Sequence, residues 1–298
     1  VSRMFTLRSG TLHAEITEWS AALRVLRHGE RDLVPSWPVD GPIPYYSGTL
    51  LAPWPNRIAD ASYTFEGRAH RLTANEEDRG NALHGLVAGV DWEAVEWLAV
   101  EDEHGSVRLA HTITPSSGYP FTVALQVLYS LTSEGLTTTV TAENLGDGPA
   151  PYGCGPHPWL LAGERVEDYE LHLPATKVLL VDDRLLPRSL EDVSGTPYDF
   201  TTARTVGGTA VDHAFTGLLA DADGLVRVRV NGPDGGVEIR WDASVLPWVQ
   251  VCTGTVLDFQ GLAVEPMTCP PDAFNSGTDL IVLQPGDKVE TSWTISPI

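Results

Sequence analysis

Val226-Arg227-Val228-Arg229-Val230, with Asp234-Gly235-Gly236 shortly after it, is the stretch that decides the fold. Strict alternation of valine and arginine puts apolar side chains on one face of an extended chain and guanidinium groups on the other. A helix would scatter the same residues around its circumference. The aspartate and two glycines that follow are hairpin punctuation. The pattern recurs in Leu12-His13-Ala14-Glu15-Ile16, in Tyr63-Thr64-Phe65 and in Val107-Arg108-Leu109-Ala110-His111-Thr112-Ile113. Glu66-Gly67, His104-Gly105 and Glu134-Gly135 fall between further strand runs. Half-buried strands joined by short turns predict antiparallel meanders.

No segment offers three turns of clean helical periodicity between caps, so the expectation is few, short helices. Ser20 to Leu26 is the nearest helix candidate and is ambiguous. Residues 182–211 are rich in turn formers and read as a long excursion. The chain shows no repeat of fixed period and no low-complexity linker. Its 298 residues would suffice for two average domains, yet β-sandwiches of this size form single units. The expectation is all-β: one large antiparallel β-sandwich domain spanning 1–298.

The chain carries 28 glycines, 22 prolines and 9 tryptophans, a composition of many turns and aromatic-lined clefts. Nineteen basic against 40 acidic residues give a net charge of −21, which repels nucleic acid and anionic membranes alike. The ligand expected is therefore a neutral small molecule, since no dense Arg or Lys cluster offers itself to an anion. Cys154, Cys252 and Cys269 are odd in number and lack zinc-ligand spacing, which suggests neither a disulfide framework nor a metal site. That usage fits a reducing, cytoplasmic setting. The N-terminal Val1-Ser2-Arg3-Met4-Phe5 has no apolar signal core, and a start other than Met is compatible with processing.

Three polar side chains stand in contexts that a structural residue does not require: His84 in Gly80-Asn81-Ala82-Leu83-His84-Gly85, His157 in Gly155-Pro156-His157-Pro158-Trp159, and Glu265 in Leu262-Ala263-Val264-Glu265-Pro266. Prolines on both sides of His157 forbid a helix and fix the backbone. Glu265 closes an apolar run at an expected strand end, where desolvation raises a carboxyl's proton affinity toward that of a working base. Two imidazoles and a carboxylate can move one proton onto a substrate while another leaves. Leu51-Ala52-Pro53-Trp54-Pro55-Asn56-Arg57-Ile58 is a proline-stiffened loop whose amide and guanidinium suit a polyhydroxylated ligand; Arg57 could equally pair with an acid. Asp212, in Ala210-Val211-Asp212-His213-Ala214-Phe215, could accept from ligand hydroxyls or cap a turn. Trp54 and Trp159 could stack on a ligand's apolar face or pack inside. Pro270-Pro271-Asp272-Ala273-Phe274-Asn275 resembles a turn able to brace Glu265. Asp182-Asp183 and Asp221-Ala222-Asp223-Gly224 read as solvated turns, the latter lacking the later glutamate of a calcium loop.

In this order the segments resemble the aldose 1-epimerase family, over residues from roughly 10 to 298. The stretches that carry the likeness are Asn56-Arg57-Ile58, Gly80 to Gly85, Gly155 to Trp159, Asp212-His213, Gln250-Val251-Cys252-Thr253-Gly254, Glu265 and Pro271 to Asn275. The resemblance implies a galactose mutarotase-like supersandwich with an open sugar cleft and no cofactor. It also implies Glu265 as base on the C1 hydroxyl and His157 as acid on the ring oxygen. His84 would donate nearby, while Asn56, Arg57, Asp212 and Gln250 hold other hydroxyls. Many members have Asn before the second histidine and Tyr-Phe-Asn after it. Here Pro156 precedes and Pro158-Trp159 follows, nearer to a bacterial subgroup with Gly-x-His-Pro-aromatic, so the resemblance does not specify galactose. A hexose 6-phosphate epimerase would need basic residues at the cleft, a non-catalytic sugar-binding protein would not need the acid and base, and a glycoside hydrolase would need a second carboxylate.

Overall fold

Val226 to Val230 lies within the strand Leu225–Gly232, which pairs antiparallel with Gly235–Asp242 so that Val228 faces Ile239 and Arg229 faces Glu238. Pro233 and Asp234 make the turn, and Gly235-Gly236 already belongs to the next strand. The structure is a computed structural model describing residues 3–100, 103–255, 257 and 259–298. Val1 and Ser2, on which part of the N-terminal reading falls, lie outside the described residues.

Two large antiparallel sheets dominate. The larger runs Glu93–Val100, His104–Ile113, Val123–Thr132, Gly135–Asn144, Lys288–Pro297, Gly235–Asp242, Leu225–Gly232, Glu170–His172 and Arg204–Thr205. The smaller runs Trp159–Leu160, Leu262–Met267, Trp248–Cys252, Asp212–Leu218, Ala175–Val181 and Pro187–Asp192. Val226, Val228, Ile239 and Trp241 from the first share one buried core with Val249, Val251, Val264 and Phe215 from the second. Burying each such side chain contributes about 1.5–3 kcal/mol, and alternation leaves the other face of each strand for polar work. This is the all-β sandwich that the alternation implies. The meander Met4–Ser9, Leu12–Thr17, Leu23–His28 and Arg31–Asp32 forms a further sheet.

Four expectations change. Ser20 to Leu26 is not helical: Ser20 and Ala21 have positive φ, and Leu23–His28 is a strand. Its period is hidden because the pairing shifts between Glu15 and Ile16, so Leu23 faces Ile16 while Val25 faces Glu15. His104-Gly105 is not a turn but the start of His104–Ile113. A Cβ on Gly105 would sit 3.0 Å from that of Leu7, so close packing rather than chain reversal requires the glycine. The excursion 182–211 contains the edge strand Pro187–Asp192 and the short strand Arg204–Thr205. Pro271 to Asn275 enters the four-residue α-helix Ala273–Ser276. Among the described residues no helix is long and apolar enough to cross a membrane.

Candidate active site

Glu265 does not end its strand. It is the fourth residue of Leu262–Met267, which lies between Trp159–Leu160 and Trp248–Cys252 inside the smaller sheet. Register places Gln250 opposite Glu265, Cys252 opposite Ala263, and Asp212 opposite Cys252. Because side chains alternate, Asp212, Gln250, Cys252 and Glu265 share the face turned away from the core formed by Val249, Val251 and Val264. The same face carries Leu179, Ala214, Trp248 and Met267, a small buried apolar cluster. Met267 is two residues from Glu265, and Trp248 is two from Gln250. This apolar floor leaves Glu265 only 2% exposed.

His157 reaches the cleft from a stretch pinned on three sides. Gly155-Pro156 pairs with Leu50-Leu51, Trp159-Leu160 pairs with Leu262-Ala263, and between them the His157 N–H donates to the Thr49 carbonyl at 3.0 Å. Gly48 N–H in turn donates to the His157 carbonyl at 2.9 Å. Gly48 has φ +74° and packs so closely on Leu23 that a Cβ would fall 2.0 Å from its carbonyl oxygen, so the residue must be glycine.

Asn56, Arg57 and His84 come from two touching segments. Arg57-Ile58 pairs with Ala82-Leu83, and the His84 N–H donates to the Asn56 carbonyl at 2.8 Å. Asn56 and His84 both adopt left-handed backbone, φ 57° and 63°. Gly85 beside them packs onto Ala52, whose carbonyl oxygen a Cβ would meet at 2.1 Å. Arg57 is held by Glu76: Nε donates to both carboxylate oxygens, at 3.2 and 3.0 Å, and Nη2 donates to Oε1 at 2.9 Å. Nη1 donates to Asn56 Oδ1 at 3.2 Å. Asn81 and Arg79 also donate to Glu76, which makes this carboxylate the hub of the rim.

These elements enclose a cleft of about 470 Å³, lined by Asn56, Arg57, His84, His157, Trp159, Asp212, Gln250 and Glu265. That volume lies within the range for small-molecule sites. All eight residues singled out from the sequence are therefore brought together. His157 Nε2 lies 3.5 Å from Glu265 Oε1, and the two imidazoles meet edge to face with ring centroids 5.1 Å apart. Gln250 Nε2 donates to Asp212 Oδ1 at 2.7 Å. Burial, with Asp212 adding to it and Arg57 opposing, raises the Glu265 carboxyl well above the usual carboxylate range. Burial pushes the His157 imidazole down to about 4. His84 is held well below its usual value by burial first, then by His157 and Arg57. Both shifts favour the uncharged forms, a carboxylic acid beside a neutral imidazole.

Trp159 lines the cleft but is buried, its indole 5.6 Å from the His157 ring and its Nε1 donating to the Tyr45 carbonyl at 3.3 Å. Trp54 is buried against Phe274. The Pro271 to Asn275 turn does not brace Glu265. Asp272 N–H donates to the Arg57 carbonyl at 2.7 Å and its carboxylate accepts from Ala59 N–H at 2.9 Å, so it braces the arginine's segment instead. Sequence reasoning missed Glu76 and Tyr46, which also line the cleft. Glu76 was visible only as part of the acidic run Glu76-Glu77-Asp78, and nothing around Tyr45-Tyr46 marks either ring.

The fold and cleft together define a class, the galactose mutarotase-like β-sandwich proteins. The structure superimposes on a galactose mutarotase-like protein from Clostridium acetobutylicum with TM-score 0.86 at 16% identity, covering 98% of this chain and 95% of that one. It superimposes on galactose 1-epimerase from Lactobacillus acidophilus with TM-score 0.81 at 19% identity, covering 99% and 95%. In sequence the chain is 39% identical over 284 residues to the uncharacterized protein YihR of Escherichia coli, covering 94% of this chain and 89% of that protein. It is 28% identical over 249 residues to Escherichia coli aldose 1-epimerase, covering 74% and 70%. Residues 3–296 match the family model for aldose 1-epimerase, and the chain belongs to that family.

Proposed function

We propose that this protein is an aldose 1-epimerase that interconverts the α and β anomers of a free aldose. The observation that carries this is the juxtaposition of Glu265 and His157, 3.5 Å apart and buried on the floor of one cleft. Opening a cyclic hemiacetal needs a base on the C1 hydroxyl and an acid on the ring oxygen. Glu265 takes the hydroxyl proton while His157 protonates the ring oxygen; the bond from C1 to that oxygen breaks and leaves an aldehyde. After rotation about the C1–C2 bond, the freed hydroxyl attacks the other face of the aldehyde. Glu265 returns its proton to the carbonyl oxygen, and His157 recovers the one from the attacking hydroxyl. Both groups end as they began. Each positioned proton transfer contributes on the order of 10²-fold or more.

A protonated carboxyl beside a neutral imidazole holds the same number of protons as the productive carboxylate and imidazolium. Their ratio is therefore independent of pH between the two apparent values of the pair. His84 donates beside the ring oxygen, Trp159 supplies apolar wall, and Asn56, Arg57, Asp212 and Gln250 hold the remaining hydroxyls. A sugar phosphate is the weaker candidate, since Arg57 and Arg79 both give their charge to Glu76.

Polarimetry of freshly dissolved α-D-glucose and α-D-galactose with the protein tests the proposal. The expected kcat/KM profile is a plateau with an acid limb near 4, where His157 titrates, and an alkaline limb set by the raised Glu265 carboxyl. No acceleration over water with any of several aldoses would discard the assignment.

A further inference from the structure

A working imidazole is usually oriented by a hydrogen bond on its second ring nitrogen. Here the Nδ1 atoms of both His84 and His157 are buried and have no hydrogen-bond partner among the described residues. What fixes these rings is packing. Tyr46 completes a triangle with the two imidazoles, which touch each other, its ring centroid 4.6 Å from that of His84 at an interplanar angle of 65° and 6.2 Å from that of His157 at 26°. Trp159 also packs on His157, ring centroids 5.6 Å apart. Aromatic pairs of this kind each favour one rotamer by up to roughly tenfold.

Tyr46 is itself held by the segment that holds His157. Tyr45 and Tyr46 both have positive φ, 43° and 55°, in a tight turn. Thr49 donates to the Tyr46 carbonyl through its N–H at 3.0 Å and its hydroxyl at 2.8 Å. The Thr49 carbonyl then accepts the His157 N–H, so phenol and imidazole ride on one rigid unit. The titratable and charged groups facing the imidazoles are Glu265 from the floor, Arg57 with Glu76 behind it, and Asp212 and Cys252 on the neighbouring strands.

We propose that Tyr46 is a positioning residue, its ring the wall that sets the orientation of both imidazoles, with its hydroxyl unused in the reaction. The proposal rests on the epimerase reading of the cleft. It adds a device that keeps His157 in one pose whether it is neutral or protonated, because an aromatic face also attracts an imidazolium.

Tyr46→Phe and Tyr46→Leu in the full chain test it, with thermal melting to show that each folds and Tyr46→Met as a further ring-free variant. Tyr46→Phe keeps mutarotation within about twofold of the parent, the scale of a neutral substitution. Tyr46→Leu lowers kcat by about tenfold to a hundredfold with KM changed far less, as expected when a reacting group is misplaced by a fraction of an ångström. In the sugar-free protein, nuclear magnetic resonance of the histidine rings shows the His157 titration moving from about 4 toward 6.5 in Tyr46→Leu and staying put in Tyr46→Phe. Equal loss of kcat in both variants assigns the effect to the hydroxyl and overturns the proposal. So do unmoved ring titrations in both ring-free variants. The ring titrations need no turnover: if they respond while the parent protein accelerates no aldose, the positioning role stands and only the epimerase reading falls.

Discussion

Two buried glutamates, one on each large sheet, live under opposite conditions. Glu238, on the strand Gly235–Asp242, is ringed by arginines: Arg229 Nε donates to it at 2.8 Å, while Arg227 and Arg240 each lie 3.5 Å away. Glu265, in the middle of the smaller sheet, faces an imidazole at 3.5 Å, and its Oε2 has no hydrogen-bond partner among the described residues. The difference lies in their neighbours rather than in depth, since they are 6% and 2% exposed. A carboxylate whose lone pairs are satisfied by cations contributes to stability and has little left to offer a substrate. One placed over Trp248 and Met267 with its lone pairs unmet costs stability as a carboxylate and holds a proton more tightly.

The largest way to break this contrast is Glu265→Gln. Mutarotation should fall about 10³-fold or more, with sugar binding retained and the melting temperature unchanged or higher. A variant that keeps its rate removes Glu265 from the base role. Glu238→Ala should do the reverse. It removes the acceptor that three arginines share, although Arg227 keeps Asp221 and Asp223 and Arg240 keeps Ser296 and the Glu134 carbonyl, and should cost about 1 kcal/mol in denaturant melts, while the folded fraction epimerises at the parental rate. Loss of turnover out of proportion to loss of folded protein would erase the distinction.

The burial of Glu265 can also be read through pH. Glu265's pKa is raised on folding, so its contribution to stability is full below 4.5 and is lost as pH climbs toward the folded value. His157 is depressed, so its contribution is present above 6.5 and is lost as pH falls toward about 4. Only the first disappears in Glu265→Gln. The variant should gain on the parent by up to about 1.4 kcal/mol per pH unit above about pH 5, which calorimetry across pH 5 to 8 would read. A constant difference would mean that Glu265 titrates normally in the folded protein.

Much of this was legible in the residues. Val226 to Val230 carries its fold in plain alternation because one of its faces is core and the other solvent. Leu23–His28 does not, since a bulge and burial of Ala22, Leu23, Val25 and Leu26 erase the period. In the cleft, His157 betrayed itself by the prolines that fix it, and Glu265 by an apolar run that no charge should end. Tyr46 and Glu76 left no such mark. Their chemistry comes from neighbours far along the chain: Tyr46 from rings at 84 and 157, Glu76 from a guanidinium nineteen residues earlier.

The interior position of Leu262–Met267 has a consequence for how such a cleft can change over time. A strand hydrogen-bonded along both edges cannot shift without breaking two ladders, so Glu265 stays where the sheet puts it. The rim is built differently: Leu185 and Thr255 line it from turns that lie outside that strand. The buried carboxyl is anchored in the architecture, and what can be replaced one piece at a time is the set of turns at the mouth of the cleft.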